Sequence, residues 1–172
     1  MTVSRVMDLV DSFTNPCSNK CMTEIRFYHA QHSSLDQVLP GILGKALSTG
    51  RRVVVRLSDA ARVEQMNEHL WVYNAASFLA HGSAKEGHGG LQPIWLTDKD
   101  ENPNGADVLV IVPGVANDLP PHLDKFTLCC DMIDGRLEDD VAAARARWKA
   151  YKDAGHEVTY WQQTDKGWEK KI

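Results

Sequence analysis

The chain has 172 residues, a net charge of −4 at pH 7 and a pI of about 5.9. It is long enough for one domain with a real core, and too acidic to attract nucleic acid through a global field, so any basic site must be local. Its composition is that of an ordinary globular protein, and no apolar run reaches membrane-spanning length.

The first 21 residues read differently from the rest. Asp8 and Asp11 interrupt the apolar run and no small-residue cleavage site follows, so this is not the pattern of a signal peptide. Val6, Leu9, Val10 and Phe13 have the spacing of a short amphipathic helix, ended by Asn15 and Pro16. Met22 stands directly before the first strand pattern. Residues 1–21 are therefore expected to be an N-terminal extension, disordered or upstream of the natural start, with a docking helix as the alternative. Residues 22–172 are expected to form a single domain.

Cys17 and Cys21 with His29 and His32 give C-x3-C-x7-H-x2-H. The Cys–His interval is short for zinc and His29 ends a strand pattern, so no metal site is assigned. Cys129 and Cys130 are neighbours in an apolar strand, point to opposite faces and are expected to be buried free thiols. Nothing requires an oxidising compartment, which points to the cytoplasm.

From Met22 onward strands and helices alternate. Glu24–His29 reads as a strand, and Leu35–Leu47 as a helix that tolerates or kinks at Pro40 and stops at Gly50. Arg52–Leu57 is a second strand; Ser58 and Asp59 cap a helix from Ala60 to about Leu70. Trp71–Gln92 reads as irregular, Pro93–Thr97 as a strand, and Asp98–Ala106 as a polar loop. Val108–Val112 is continuously apolar, as for a central strand covered on both faces. Phe126–Ile133 is another strand, a helix follows over Asp139–Gly155, and Val158–Gln162 with Trp168–Lys171 has the pattern of a hairpin. This order predicts an α/β fold of three layers, α/β/α, with a mostly parallel sheet and a C-terminal hairpin.

The helix over Asp139–Gly155 carries the first candidate site. Asp139 and Asp140 read as an N-cap and acidic first turn. Arg145, Trp148, Lys149 and Lys152 recur at i, i+3, i+4 and i+7 and share a face. Ala143, Ala146, Ala150 and Ala154, with Tyr151, make the other side and read as the side toward the sheet. Two readings of the cationic face stand at this point. Trp148 packs inward among solvated cations, which is the commoner arrangement, or an outward aromatic among cations meets an acidic ligand with an apolar end.

A second constellation lies in the irregular segment. Leu70, Trp71, Tyr73, Phe78 and Leu79 crowd into ten residues. Either they seal the sheet edge or they form a patch for a partner protein. Gly87-His88-Gly89-Gly90 is not a dinucleotide fingerprint, and the exit of the first strand, residues 29–34, has neither phosphate-binding glycines nor a P-loop lysine. His81 and His88 leave an alternative function, a small-molecule enzyme of nucleotide type, but no nucleophile elbow or spaced carboxylate pair accompanies them. No catalytic residue and no cofactor are assigned.

Specific stretches decide between these readings. The opening FYH, the G-R-R-V-V-V strand, the L-W…S-F-x-x-H segment (Leu70, Trp71, Ser77, Phe78, His81) and, above all, Ala142 to Trp161 resemble the chi subunit family of bacterial DNA polymerase III, over nearly everything after Met22. The resemblance implies a Rossmann-like domain without catalysis, acting as an adaptor in the clamp loader. It implies one surface for the acidic C-terminal tail of single-stranded DNA-binding protein and another for the psi subunit. Arg145, Trp148 and Lys149 match the family's tail-binding positions, with Lys152 beside them, and Trp148 stands where the family commonly has Tyr. Trp71 and Phe78 match its psi-contact positions. Direct specific nucleic-acid binding and membrane association are not expected; a direct nucleic-acid-binding reading, which would show a steep salt dependence with single-stranded DNA, is opposed by the acidic net charge.

Overall fold

The computed structural model describes residues 22–115 and 118–172. The expectations for residues 1–21, including Cys17 and Cys21, lie outside the described residues. In chain order the elements are β1 (Glu24–Ala30), α1 (Leu35–Ser48), β2 (Val53–Arg56), α2 (Ala60–Val72), β3 (His81–Ser83), β4 (Ile94–Thr97), β5 (Val108–Ile111), β6 (Leu128–Asp134), α3 (Glu138–Asp153), β7 (Glu157–Thr164) and β8 (Gly167–Lys170). The strands form one sheet in the order β3-β4-β2-β5-β6-β1-β7-β8, parallel throughout except for the final β7–β8 hairpin. This is the expected three-layer α/β architecture.

The two faces carry separate cores. Against α1 and α2, Leu39, Leu43, Met66 and Leu70 pack on Val53, Val55, Leu96 and Met132. Against α3, Ala144 and Tyr151 pack on Ile25, Phe27, Cys129 and Ile133. That second face is completed by Leu123 and Phe126 from the segment before β6 rather than by another helix. The middle strands β2, β4, β5 and β6 are buried on both sides, which is why their sequences run apolar without alternation. Cys129 and Cys130 are free and buried on opposite faces. Burial pushes both thiols up, that of Cys130 to about 12, so they pack as small hydrophobes.

Pro40 sits inside α1 and cannot donate to the carbonyl of Asp36 one turn earlier. That oxygen is taken instead by His69 of α2, whose Nε2 lies 2.7 Å away. The Asp36 carboxylate meets Arg62 of α2 as well. The helix-breaking residue thus frees a backbone acceptor that joins the two helices.

Three expectations require correction. The segment Trp71–Gln92 is not wholly irregular: it holds the end of α2, the three-residue β3 and a 3-10 turn at Gly89–Leu91. β3 is too short, and its HGS sequence too weakly apolar, to show a strand period. The N-cap of α3 is Leu137, not Asp139 or Asp140. Asp140 instead accepts a hydrogen bond from the Asp134 backbone N–H at 2.7 Å, tying the first turn of α3 to the end of β6. Finally, the buried stripe of α3 is Asp140, Ala144, Arg147 and Tyr151. Ala146 is exposed, and Ala143, Ala150 and Ala154 are only half-buried. The helix is turned by a charge: Asp131 lies fully buried in β6, and Arg147 must face it.

Candidate functional site

α3 packs on β6 and β7, and its flank leaves a cavity of about 320 Å³ lined by Phe27, His29, Ile133, Arg145, Trp148 and Tyr160, among others. Its volume lies at the lower end of ligand pockets, which run from about 300 to 1,000 Å³. The residues come together because β1 and β7 are parallel neighbours with Phe27 opposite Tyr160. Phe27 and His29, two apart on β1, project to the same face.

Trp148 is half-buried and combines parts of both sequence readings. Its ring packs 5.3 Å from that of Phe27, yet it still forms a wall of the open cavity. Arg145 stands exposed at the rim. Lys152 lies over the Trp148 ring, Nζ 5.6 Å from its centroid, as a cation–π contact. Lys149 is exposed one turn from Arg145 but does not line the cavity. The arrangement is an apolar recess with Arg145 at its mouth and Lys152 over the Trp148 wall, suited to an anionic ligand carrying one ring or alkyl group.

The interior of the site was not legible as such. His29 Nδ1 is paired with the Tyr160 hydroxyl across a short hydrogen bond. Burial holds the His29 imidazole below its usual range, against Asp140 and Asp134, which pull it up. Burial also raises the Tyr160 phenol. Beneath Trp148, Arg147 grips Asp131 with two bonds, Nε to Oδ2 at 2.9 Å and Nη2 to Oδ1 at 2.8 Å. Asp140 lies 3.9 Å from the same guanidinium. Burial pushes the Asp131 carboxyl up, and Arg147 pulls it back. For Arg147, burial works against the charge, but the Asp131 bonds together with the charges of Asp131 and Asp140 outweigh it and hold the guanidinium ionised. The available signal was Asp131 itself: an acid in the middle of the apolar strand LCCDMID, unlike Asp134 at its end, needs a cation from another element.

The second candidate surface lies at the end of α2. Trp71 and Phe78 are 55% and 70% exposed, with ring centroids 5.8 Å apart, while Leu70 and Leu79 are buried beneath them. The crowded segment therefore divides into a sealing pair and an exposed pair. His81 supports Trp71 at 4.9 Å. It is buried, with Nδ1 2.6 Å from the Leu79 carbonyl and Nε2 3.2 Å from that of Asn67, so neither ring nitrogen is offered to a substrate. His88 is exposed and adopts a left-handed backbone conformation before the 3-10 turn. At the exit of β1, the N–H groups of Gln31, His32 and Ser33 all donate to Gln163 Oε1 of β7, at 3.1, 3.1 and 3.2 Å. The amides that would face a phosphate in a nucleotide-binding fold are occupied by a glutamine. Among the described residues no helix is long and apolar enough to cross a membrane, and no cluster of metal-ligating side chains occurs.

Comparison with known proteins identifies the family. The family model "DNA polymerase III chi subunit, HolC" matches residues 22–159. The chain is similar to the DNA polymerase III subunit chi of Escherichia coli, 27% identical over 125 residues that cover 72% of this chain and 82% of that protein. It is similar to the subunit chi of Pseudomonas aeruginosa, 24% identical over 140 residues, covering 78% of this chain and 93% of the relative. A probable subunit chi of Rickettsia prowazekii is 31% identical over 93 residues, covering 54% of this chain and a little over half, 56%, of that protein. The match starts at Met22, where the first strand pattern begins, and runs through α3 into β7, so the chain belongs to the DNA polymerase III chi subunit family.

Proposed function

We propose that this protein is a non-catalytic accessory subunit of a DNA polymerase III assembly, working in DNA replication in the cytoplasm. In this reading it is an adaptor of the clamp loader. It binds the acidic C-terminal tail of single-stranded DNA-binding protein through Arg145, Trp148, Lys149 and Lys152, and a psi-type subunit through Trp71 and Phe78.

The observation that carries the reading is the recess beside α3, with Trp148 as a wall and Arg145 at its mouth. A tail that ends in an aromatic residue and a free carboxylate fits such a site. The ring enters the apolar recess, and the carboxylate meets the guanidinium, whose fork can make two parallel bonds. Burying a ring gives roughly 1.5–3 kcal/mol and a charge-assisted bond about the same. A micromolar complex, about −8 kcal/mol, therefore needs most contacts at once. Lys149 and Lys152 supply point charges for acidic residues preceding the ring.

Calorimetric titration with a tail peptide tests this. Arg145→Ala is expected to weaken binding about tenfold or more, about 1.4 kcal/mol, and Arg145→Lys to recover only part because the fork is lost. Removing the peptide's last aromatic should weaken binding further, and added salt should reduce but not abolish it. A folded Arg145→Ala protein that binds like the parent would rule out this face.

A further inference from the structure

The third surface lies on the other face of the sheet, between α1 and the C-terminal hairpin, away from the α3 recess and from Trp71. A groove of about 500 Å³ is lined there by Arg26, Tyr28, Lys45, Arg51, Trp161 and Trp168, among others. It lies where α1, which packs on β2 and β6, gives way to β1, β7 and β8 on that side of the sheet. Register places the side chains: Tyr28 is opposite Trp161, and Trp161 is opposite Lys170. Trp168 and Lys170, two apart on β8, share its face.

The rings run in series. Trp168 meets Tyr28 edge to face at 5.0 Å, Tyr28 stacks on Trp161 at 6.1 Å, and the Arg26 guanidinium lies over Trp161 at 5.7 Å. Cations border the series: Arg26, Lys45, Arg51 and Lys170. The nearby acids are Glu24, held by Arg26 at 2.7 Å, Asp107, 3.4 Å from Arg51, and Glu157, opposite Glu24 on β7. The groove is thus locally basic on a protein whose net charge is −4.

We propose that this groove is a binding site for single-stranded nucleic acid, recognised by base stacking and phosphate charge rather than by sequence. Each repeat of such a strand carries a π-face and a negative charge, which matches two partly exposed tryptophans, Trp161 and Trp168, held on either side of Tyr28 and flanked by cations. An acidic peptide offers the charge without the repeated rings, and a duplex hides its base faces. The reading does not depend on the proposed tail site, which lies across the sheet. It is compatible with the acidic composition, because the relevant field is local.

The test is titration of the full chain with an oligothymidylate of about 10 nucleotides, followed by tryptophan fluorescence at low salt. Quenching with saturable binding is expected. The logarithm of affinity should fall against the logarithm of salt with a slope of roughly −1.4 to −2.8, as two to four phosphates are neutralised. Trp168→Ala should weaken binding about tenfold. Because that change could also loosen the hairpin, Lys45→Glu on the exposed face of α1 provides an independent variant and should weaken binding severalfold without touching the sheet. Both variants should titrate the acidic tail peptide like the parent. The proposal is overturned by no oligonucleotide binding, by binding unaffected by Lys45→Glu, or by equal binding of duplex. Displacement of the oligonucleotide by a polyglutamate peptide at matched charge would assign the groove to an acidic protein partner instead.

Discussion

The Asp131–Arg147 pair places two charges beneath α3, both almost completely buried. Such a pair adds little stability relative to a well-packed apolar substitute, but losing one member leaves the other charged and unpaired. Arg147→Ala is therefore expected to destabilise the fold by about 3–5 kcal/mol in chemical denaturation, and a double change of Asp131→Asn with Arg147→Met to restore part of the loss. His29 behaves differently, because burial lowers its pKa. Between that lowered value and the unfolded value near 6.5, the unfolded chain binds more protons, so this residue's contribution to stability is full above the unfolded pKa and falls with pH through the window. Denaturation from pH 8 down to pH 5.5 should show the parent losing more stability than His29→Gln, the difference isolating this one group. Tail binding should move the other way, strengthening as pH falls into the window, since a charged imidazole at the recess favours an anion. A parallel fall of both would remove His29 from the site.

At the scale of elements, α3 shows what a periodic pattern can and cannot convey. Its span was visible from the acidic start and Gly155, and the shared face of Arg145, Trp148 and Lys149 followed from helical spacing. Its rotation was not visible, because small residues look like a packing stripe until the buried Asp131 is placed opposite. Phe27, His29 and Tyr160 were likewise hidden: they reach the site through strand register between segments far apart in the chain. The α2–β3 connection gave the opposite result. Its aromatics read as either a seal or a patch, and the structure makes Leu70 and Leu79 the seal and leaves Trp71 and Phe78 outside. Phe78→Ala is accordingly expected to leave the melting temperature nearly unchanged while weakening a psi-type partner by about 2 kcal/mol in a binding titration. Ready unfolding of the variant would instead make the ring part of the core.

Across the whole molecule, the α3 recess and the Trp71–Phe78 patch lie on opposite faces and toward opposite ends of the sheet. Six strand spacings separate β3 from β7, roughly 29 Å, enough for two partners to bind without touching. The alternation of strands and helices made the layers legible, whereas strand order, with β1 inserted between β6 and β7, follows from tertiary packing that no local pattern encodes. The described fold is fastened at its start by Thr23, whose single hydroxyl proton is shared between the carbonyls of Leu123 and Phe126, 2.8 and 2.9 Å away. Deleting residues 1–21 is therefore expected to leave thermal stability and tail binding unchanged; a loss above about 1 kcal/mol would mean that they dock on the domain. The position of β1 has a consequence for synthesis. Its partners lie about a hundred residues or more downstream, so it leaves the ribosome without either neighbour. At about 5–20 residues per second it waits on the order of ten seconds, while β2, β4 and β5 can already pair among themselves. During that interval Ile25, Phe27 and Tyr28 lie on a strand with two open edges, the form of chain most prone to pair with a neighbour before its own partners arrive.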